Sequence, residues 1–188
     1  MSNIVDDSGA LISRRISGER KTHGWSLAEL AARSGVSKAM LSKIERGEVS
    51  PTASVLLRIA TAFDMTLAEL LTDTREEPRF QSRTDQPSWI DPATDYHRRQ
   101  VYLTSRLPLE LVEVVLPPQA SVAIPASSYA HIRQVVWVIE GTLTVVEGDA
   151  ATVLANGDRL EFGPPTGSAF RNDTDRPCRY LVAVLRQR

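Results

Sequence analysis

Apolar positions along the chain change period once. Over residues 10–71 they recur every three or four positions, the helical period. From Gln100 onward they alternate or form short blocks, the strand period. The helical half is organised around Ser26 to Ser50. Ser26-Leu27-Ala28-Glu29 reads as a capping box, followed by Leu27, Leu30 and Ala31 on one face. Gly35 ends that helix and Val36 plugs the turn. Ser37 caps a second helix, Lys38 to about Arg46, with Met40, Leu41 and Ile44 inward and Lys38, Ala39, Ser42, Lys43 and Arg46 outward. Before this pair, Leu11 to His23 is expected as a helix with Leu11, Ile12 and Ile16 inward, and Trp25 as a staple at its junction. Arg20 and Lys21 fall outside that stripe, where they would meet either phosphate or solvent. After the pair, Glu45 is expected to hold the backbone amides of the 46–49 loop. Ser50-Pro51 should open a helix carrying Val55, Leu56, Ile59, Ala60 and Phe63, and Thr66–Glu69 should cap a short last one ending at Leu71.

Residues 72–98 are rich in Pro, Asp, Thr and charge without periodicity, and read as a linker that Trp89 and Ile90 pin to a domain. Beyond it, short runs such as LELVEVVL, RQVVWVI, TLTVVEG and CRYLVAVL are punctuated by Pro117-Pro118, Gly148-Asp149, Asn156-Gly157 and Pro164-Pro165. Many short strands at this spacing predict a sandwich or barrel. The expected class is multidomain α and β. Residues 1–9 form a flexible arm, 10–71 a five-helix bundle, 72–98 a linker and 99–188 a β-barrel.

Net charge is −1 over 188 residues, so the whole chain is no polycation. The charge is uneven. Residues 10–60 carry nine Lys/Arg against four acids, a surplus of five that suits a nucleic-acid partner for that segment. Cys178 is the lone cysteine, which rules out an internal disulfide, and its alternating run predicts a buried small residue. The N-terminus carries Asp6 and Asp7 and lacks an apolar signal core, and no apolar run approaches membrane-spanning length. The expectation is a cytoplasmic protein with no membrane partner.

The run LAxxxGVSxxxLSxIExG followed by SPT resembles the lambda-repressor-like (XRE) transcription regulators over roughly residues 10–71. The resemblance implies a helix-turn-helix whose second helix lies in the DNA major groove. It implies that Ser37, Lys38, Ala39, Ser42 and Lys43 approach base edges or adjoining phosphates, with Arg46 and Ser50 on phosphates. The family often has Gln where this chain has Leu27, so no DNA role passes to Leu27.

Val138 to Leu143 and Gly157 to Asn172 resemble the two cupin motifs, which implies a double-stranded β-helix barrel. Metal-binding cupins use two His, a Glu and a further His. The matching positions here hold Ser128, Ala130, Gln134 and Ser168, with His131 one residue off, so neither metal nor other cofactor is expected. The resemblance leaves a small-molecule cavity. Gln134, Val136, Val138, Ser168, Phe170 and Asn172 would face it, and Tyr129, His131 and Arg133 would stand at its mouth. Trp137 alternates to the other face, as an interface or packing residue. Together the two halves imply a non-enzymatic regulator: a homodimer that binds an operator in double-stranded DNA and senses a small molecule through its barrel. Two other readings stay open. One is a cupin metalloenzyme, an oxygenase or isomerase, with an accessory DNA domain. The other is a regulator whose barrel is only a dimer core.

Overall fold

The computed structural model describes residues 4–72, 79–104 and 107–186. Residues 1–3 of the expected arm, 73–78 of the expected linker, and 105–106 and 187–188 of the barrel segment lie outside them. The chain divides into two compact units, Met1–Asp73 and Thr74–Arg188.

The first unit is helical: α1 (Ile4–Thr22), α2 (Leu27–Ser34), α3 (Lys38–Glu45), α4 (Ala53–Ala62) and α5 (Leu67–Leu71). Both capping boxes form. Ser26 and Thr66 each accept the amide three residues on, and Glu29 and Glu69 reach back to the cap amides. Each hydroxyl cap contributes about 1 kcal/mol. Gly35 takes the left-handed conformation, φ 66°, and its amide donates to the Ala31 carbonyl, ending α2. Leu30, Leu41, Ile44, Leu56 and Ile59 are fully buried with Ile16, so the core sits where the three-four spacing put it.

Several boundaries and contacts differ from expectation. Helix α1 begins at Ile4, so residues 4–9, expected as an arm, are helical. Gly9 lies inside the helix, and its carbonyl accepts the Ser13 hydroxyl at 2.9 Å. Helix α4 starts at Ala53 with Thr52 as its cap residue, two positions after the expected Ser50. Met40, expected inward, is 39% exposed, because Leu41 and Ile44 already fill the inner stripe of this short helix. Trp25 is half-buried rather than core: it stacks on Phe63 at 5.6 Å between ring centres, and the Arg33 guanidinium lies 4.3 Å over its ring.

The second unit is two sheets. One has six strands in the order β1 (Ser88–Ile90), β2 (His97–Leu103), β3 (Leu109–Leu116), β10 (Cys178–Arg186), β5 (Ile132–Glu140) and β8 (Arg159–Glu161). The other has four, in the order β4 (Ser121–Ile124), β9 (Ser168–Arg171), β6 (Leu143–Glu147) and β7 (Ala150–Leu154). Every pairing is antiparallel. Val112, Val114 and Leu116 on β3, Val136 and Val138 on β5, and Cys178 and Tyr180 on β10 form one inner face, all essentially inaccessible. Burial pushes the Cys178 thiol up to about 11, as befits a packed small residue.

The segment expected as linker is structured from residue 79. Trp89 is buried edge-on to Tyr96, and Ser88–Ile90 pairs with His97–Arg99. Arg83 grips the buried Glu113 carboxylate through two bonds of 2.7 and 3.1 Å, and Arg99 reaches the same carboxylate at 3.4 Å. A three-residue strand and one ion pair carry no periodicity, so the sequence hid both. The Arg83 guanidinium holds Glu113 below the usual carboxylate range.

This packing makes the two turn glycines unequal. Gly141 turns at φ 88°, and a Cβ there would sit 2.9 Å from the Pro177 carbonyl oxygen and 3.1 Å from Cys178 Cα. Gly157 turns at φ 89° with nothing within 4 Å. Gly141→Ala should cost clearly more than Gly157→Ala in chemical denaturation, since the second carries only about 1 kcal/mol of backbone strain. A pH dependence is expected at Glu113, whose folded pKa is lowered. Its contribution is therefore present above the unfolded value and lost as pH falls through the folded one. Glu113→Gln should be less stable near neutrality, with a shallower loss of stability on acidification below about pH 4.5.

Candidate functional sites

In the helical unit, α2 and α3 meet across the Gly35 turn. Val36 is buried beneath it, and the Ser34 hydroxyl donates to the Leu30 carbonyl at 2.7 Å. Arg58 of α4 braces the same turn, donating to the Gly35 carbonyl at 3.3 Å. Ser37 caps α3 by accepting the Met40 amide at 3.2 Å. Lys38, Ala39 and Lys43 are exposed along one side of α3, with Ser37 at its start and Ser50 beyond its end also exposed. Ser42 is half-buried and takes a short bond from Arg46. The Arg46 guanidinium also pairs with Glu48 at 2.5 and 3.0 Å, so an acid already sits on the cation expected at phosphate.

Two expectations for charged residues are corrected together. Arg20, expected on phosphate or in solvent, binds the Glu45 carboxylate through Nε at 2.6 Å and Nη2 at 2.8 Å, and donates Nη1 to the Trp25 carbonyl at 2.8 Å. Glu45 therefore holds Arg20, not the amides of the 46–49 loop; Gly47 and Glu48 amides go to the Ile44 and Lys43 carbonyls. The side chains are only 14% and 11% exposed, and the carboxylate raises Arg20 above its ordinary value. The pair ties α1 to the last turn of α3. A separation of 25 residues carries no local signal, which is why the sequence did not show it.

In the β unit, a small cleft of about 10 Å³, room for about one water and open on one side, is lined by Tyr129, Ile132, Arg133, Gln134, Glu147, Phe162 and Thr166 among others. A 3₁₀ turn, Ala126–Tyr129, leads into β5 and turns Tyr129 inward. Tyr129, expected at the mouth, is buried, and its hydroxyl bonds that of Ser168 on β9. Burial raises the phenol to about 12, while the Ser168 hydroxyl and the neighbouring Gln134 amide pull the other way. It therefore stays protonated at any ordinary pH. Gln134 is 7% exposed, and its side-chain nitrogen lies near the Tyr129 hydroxyl without forming a well-aligned hydrogen bond. Burying a donor without a good partner costs about 1–3 kcal/mol.

The other expected cavity residues divide. Arg133 is exposed and lines the cleft, donating to the Ile132 carbonyl at 3.0 Å; His131 is exposed and is not in its wall. Val136 and Val138 are sealed in the core, and Phe170 is stacked between Phe162 and Tyr180, with ring centres 5.6 Å away on both sides. Asn172 is corrected from cavity to scaffold. Its amide donates to the Leu116, Pro117 and Arg176 carbonyls, and its oxygen accepts from Thr174. Glu147, Phe162 and Thr166 are the wall residues that the sequence pattern did not point to. Glu147 comes from β6, outside both cupin motifs, while Phe162 and Thr166 come from the segment between β8 and β9, inside the second motif but away from its ligand position.

The four cupin ligand positions do not suit a divalent ion. Ser128 and Ala130 lie in and just after the 3₁₀ turn, and Ala130 offers no donor side chain. Ser168 is engaged with Tyr129, which leaves one amide at Gln134. Such a set lacks the imidazole and carboxylate ligands that replace a metal's water.

The Arg20–Glu45 pair generates a stability prediction. Arg20→Met removes one partner and leaves a largely buried carboxylate uncompensated. It should destabilise the helical unit by about 3 kcal/mol, read from the denaturant midpoint. Glu45→Gln combined with Arg20→Met should recover part of that loss, because no charge is then left unpaired.

Comparison with known proteins follows the same division. A helix-turn-helix family model matches residues 16–70, and a cupin domain model matches residues 112–184. The chain is 31% identical over 183 residues to the HTH-type transcriptional regulator SutR of Escherichia coli K12, covering 94% of this chain and 95% of that one. It is 36% identical over 76 residues to the HTH-type transcriptional regulator SinR of Bacillus subtilis, 40% of this chain and 68% of that one. A crystal structure of an HTH_3 family transcriptional regulator from Vibrio cholerae shares the fold at TM-score 0.78 and 22% identity, over 97% of this chain and 99% of that chain. No helix among the described residues is long and apolar enough to cross a membrane. With its order of elements matched along almost the whole length of a relative, the chain belongs to the XRE-type helix-turn-helix transcriptional regulators that carry a C-terminal cupin domain.

Proposed function

We propose that this protein is a cytoplasmic, non-enzymatic transcription regulator that binds operator DNA as a homodimer and responds to a small molecule held in its β unit. The exposed side of α3 carries the DNA half of the reading. Lys38, Ala39 and Lys43 stand clear of the core on a helix whose cap, turn and ion pair fix its position. Short side chains at Ser37, Ala39 and Ser42 let the helix approach base edges, while Lys38 and Lys43 supply charge. Ser50 lies where a phosphate contact fits. Arg46 would have to share its guanidinium between Glu48 and phosphate.

The Gln134 amide carries the effector half. A buried donor with no well-aligned bond, beside the Tyr129–Ser168 hydroxyl pair, suits the acceptor group of a ligand. Arg133 and Glu147 place one charge of each sign in the same wall. The donor set at the cupin ligand positions speaks against the metalloenzyme reading.

Lys38→Ala and Lys43→Ala should each weaken operator binding in fluorescence anisotropy. Where the lysine meets phosphate, its removal should also reduce the slope of log affinity against log salt by about one. Where it reads a base, its removal should instead cost roughly 1–3 kcal/mol and relax specificity at one position. Unchanged affinity at fixed salt in both variants would displace α3 from the groove. In a thermal-shift screen of metabolites, a true effector should stabilise the wild type, and Gln134→Leu should abolish the shift while remaining folded. Absence of any such compound would favour the reading in which the barrel is a dimer core.

A further inference from the structure

On the outer face of β10, β5 and β8, turning the face end for end sets large side chains against small ones and basic against acidic. On β5, Val135 and Trp137 point away from the core while Gln134, Val136 and Val138 point into it. Trp137 is 49% exposed, and its indole N–H is held by the Gly157 carbonyl at 3.2 Å, which leaves the ring lying on the surface. The register sets two parallel rows across three strands. Leu181, Trp137 and Arg159 form one row, and Ala183, Val135 and Glu161 the other. Between them runs the row Val182, Val136 and Leu160, on the inner side of the sheet. Arg159 and Glu161 are both exposed.

We infer that this face is the homodimer interface, with a two-fold axis running across the strands at the level of Val136. The inference rests on the homodimer reading above and specifies its surface. Rotation about such an axis exchanges the two rows. Trp137 then lies over the partner's Val135, and Leu181 lies over the partner's Ala183, a large side chain meeting a small one in both cases. Arg159 lies over the partner's Glu161, and Glu161 over the partner's Arg159. The same operation thus matches size and charge together, as a self-complementary isologous surface requires. Two sheets packed face to face keep their strands within about 30° of each other at roughly 10 Å separation, which this axis permits. The charge pairs at the side fix register and exclude slipped arrangements, while the aromatic and aliphatic rows supply the buried area.

The test is a charge exchange in the full chain, read by sedimentation equilibrium. Arg159→Glu places like charges opposite each other twice, and Glu161→Arg does the same with the opposite sign. Each should raise the dimer dissociation constant at least tenfold. The double variant Arg159→Glu/Glu161→Arg restores opposite charges across the axis and should return the constant to within a few-fold of the wild type. Single variants that dimerise like the wild type would overturn the inference, as would a double variant no better than the singles. A wild-type chain that stays monomeric at tens of micromolar would overturn the homodimer reading itself, so the two failures are distinguishable.

Discussion

The tie between the exposed reading helix α3 and the long first helix is a largely buried ion pair. Arg20 and Glu45 are 25 positions apart, and their bidentate contact fastens the last turn of α3 to the long first helix. A helix of eight residues is too short to hold itself by backbone hydrogen bonds alone. Its apolar anchors, Leu41 and Ile44, are fully buried. The guanidinium fork adds a directional anchor, because two parallel bonds define direction as well as distance. The Nη1 bond to the Trp25 carbonyl adds the connection between α1 and α2, so one arginine indexes all three helices. In the proposed function, the precision with which Lys38 and Lys43 are presented derives from a residue that itself faces inward.

The β unit uses polar groups differently. Asn172 satisfies three carbonyls and two Thr174 donors from a fully buried position, locking the crossing between the two sheets. Tyr129 and Ser168 satisfy each other. Gln134 lies in the same neighbourhood. An amide nitrogen without a well-aligned partner there, like the Gln100 oxygen elsewhere in the unit, carries a cost of the order of one hydrogen bond. A water or the acceptor group of a ligand recovers that cost, which is why the amide, rather than the apolar wall, carries the proposed reading of the cleft.

The helical unit was legible in the sequence to the extent that its determinants are local. Capping boxes, the Gly35 stop and the Leu30–Leu41–Ile44 spacing are all fixed by short-range signals, and they appear as expected. The start of α1 was hidden because Gly9 and a polar stretch mimic a boundary, and the Thr52 cap because Ser50-Pro51 offers the same signature two residues earlier. In the barrel, alternation placed Gln134, Val136 and Val138 on one face of β5 correctly. It could not distinguish Val136, which is sealed by the opposing sheet, from Gln134, which borders the cleft. Inner face and cavity wall share the same period of two. Asn172 and Phe170 were drawn to the cavity by the same argument, and only the Pro117 and Arg176 carbonyls and the Tyr180 ring reveal them as scaffold. Glu147 and Thr166 reach the cleft through tertiary approach of β6 and a loop, which no spacing encodes.

A ligand in the cleft can change operator affinity only by favouring one arrangement of the two subunits over another. Strand β5 offers the physical route. Gln134 faces the cleft, while Val135 and Trp137, its neighbours on the same strand, face the proposed dimer surface. Side chains turn about their own χ angles, so a ligand at Gln134 reaches Trp137 only by displacing the β5 backbone that carries both. In the proposed function, such a displacement would reseat Trp137, and a close-packed interface responds to small displacements by repacking rather than by bending. In the proposed function, coupling of the typical size, about 1–3 kcal/mol, would correspond to a change of about 5- to 150-fold in affinity without any contact between ligand and DNA.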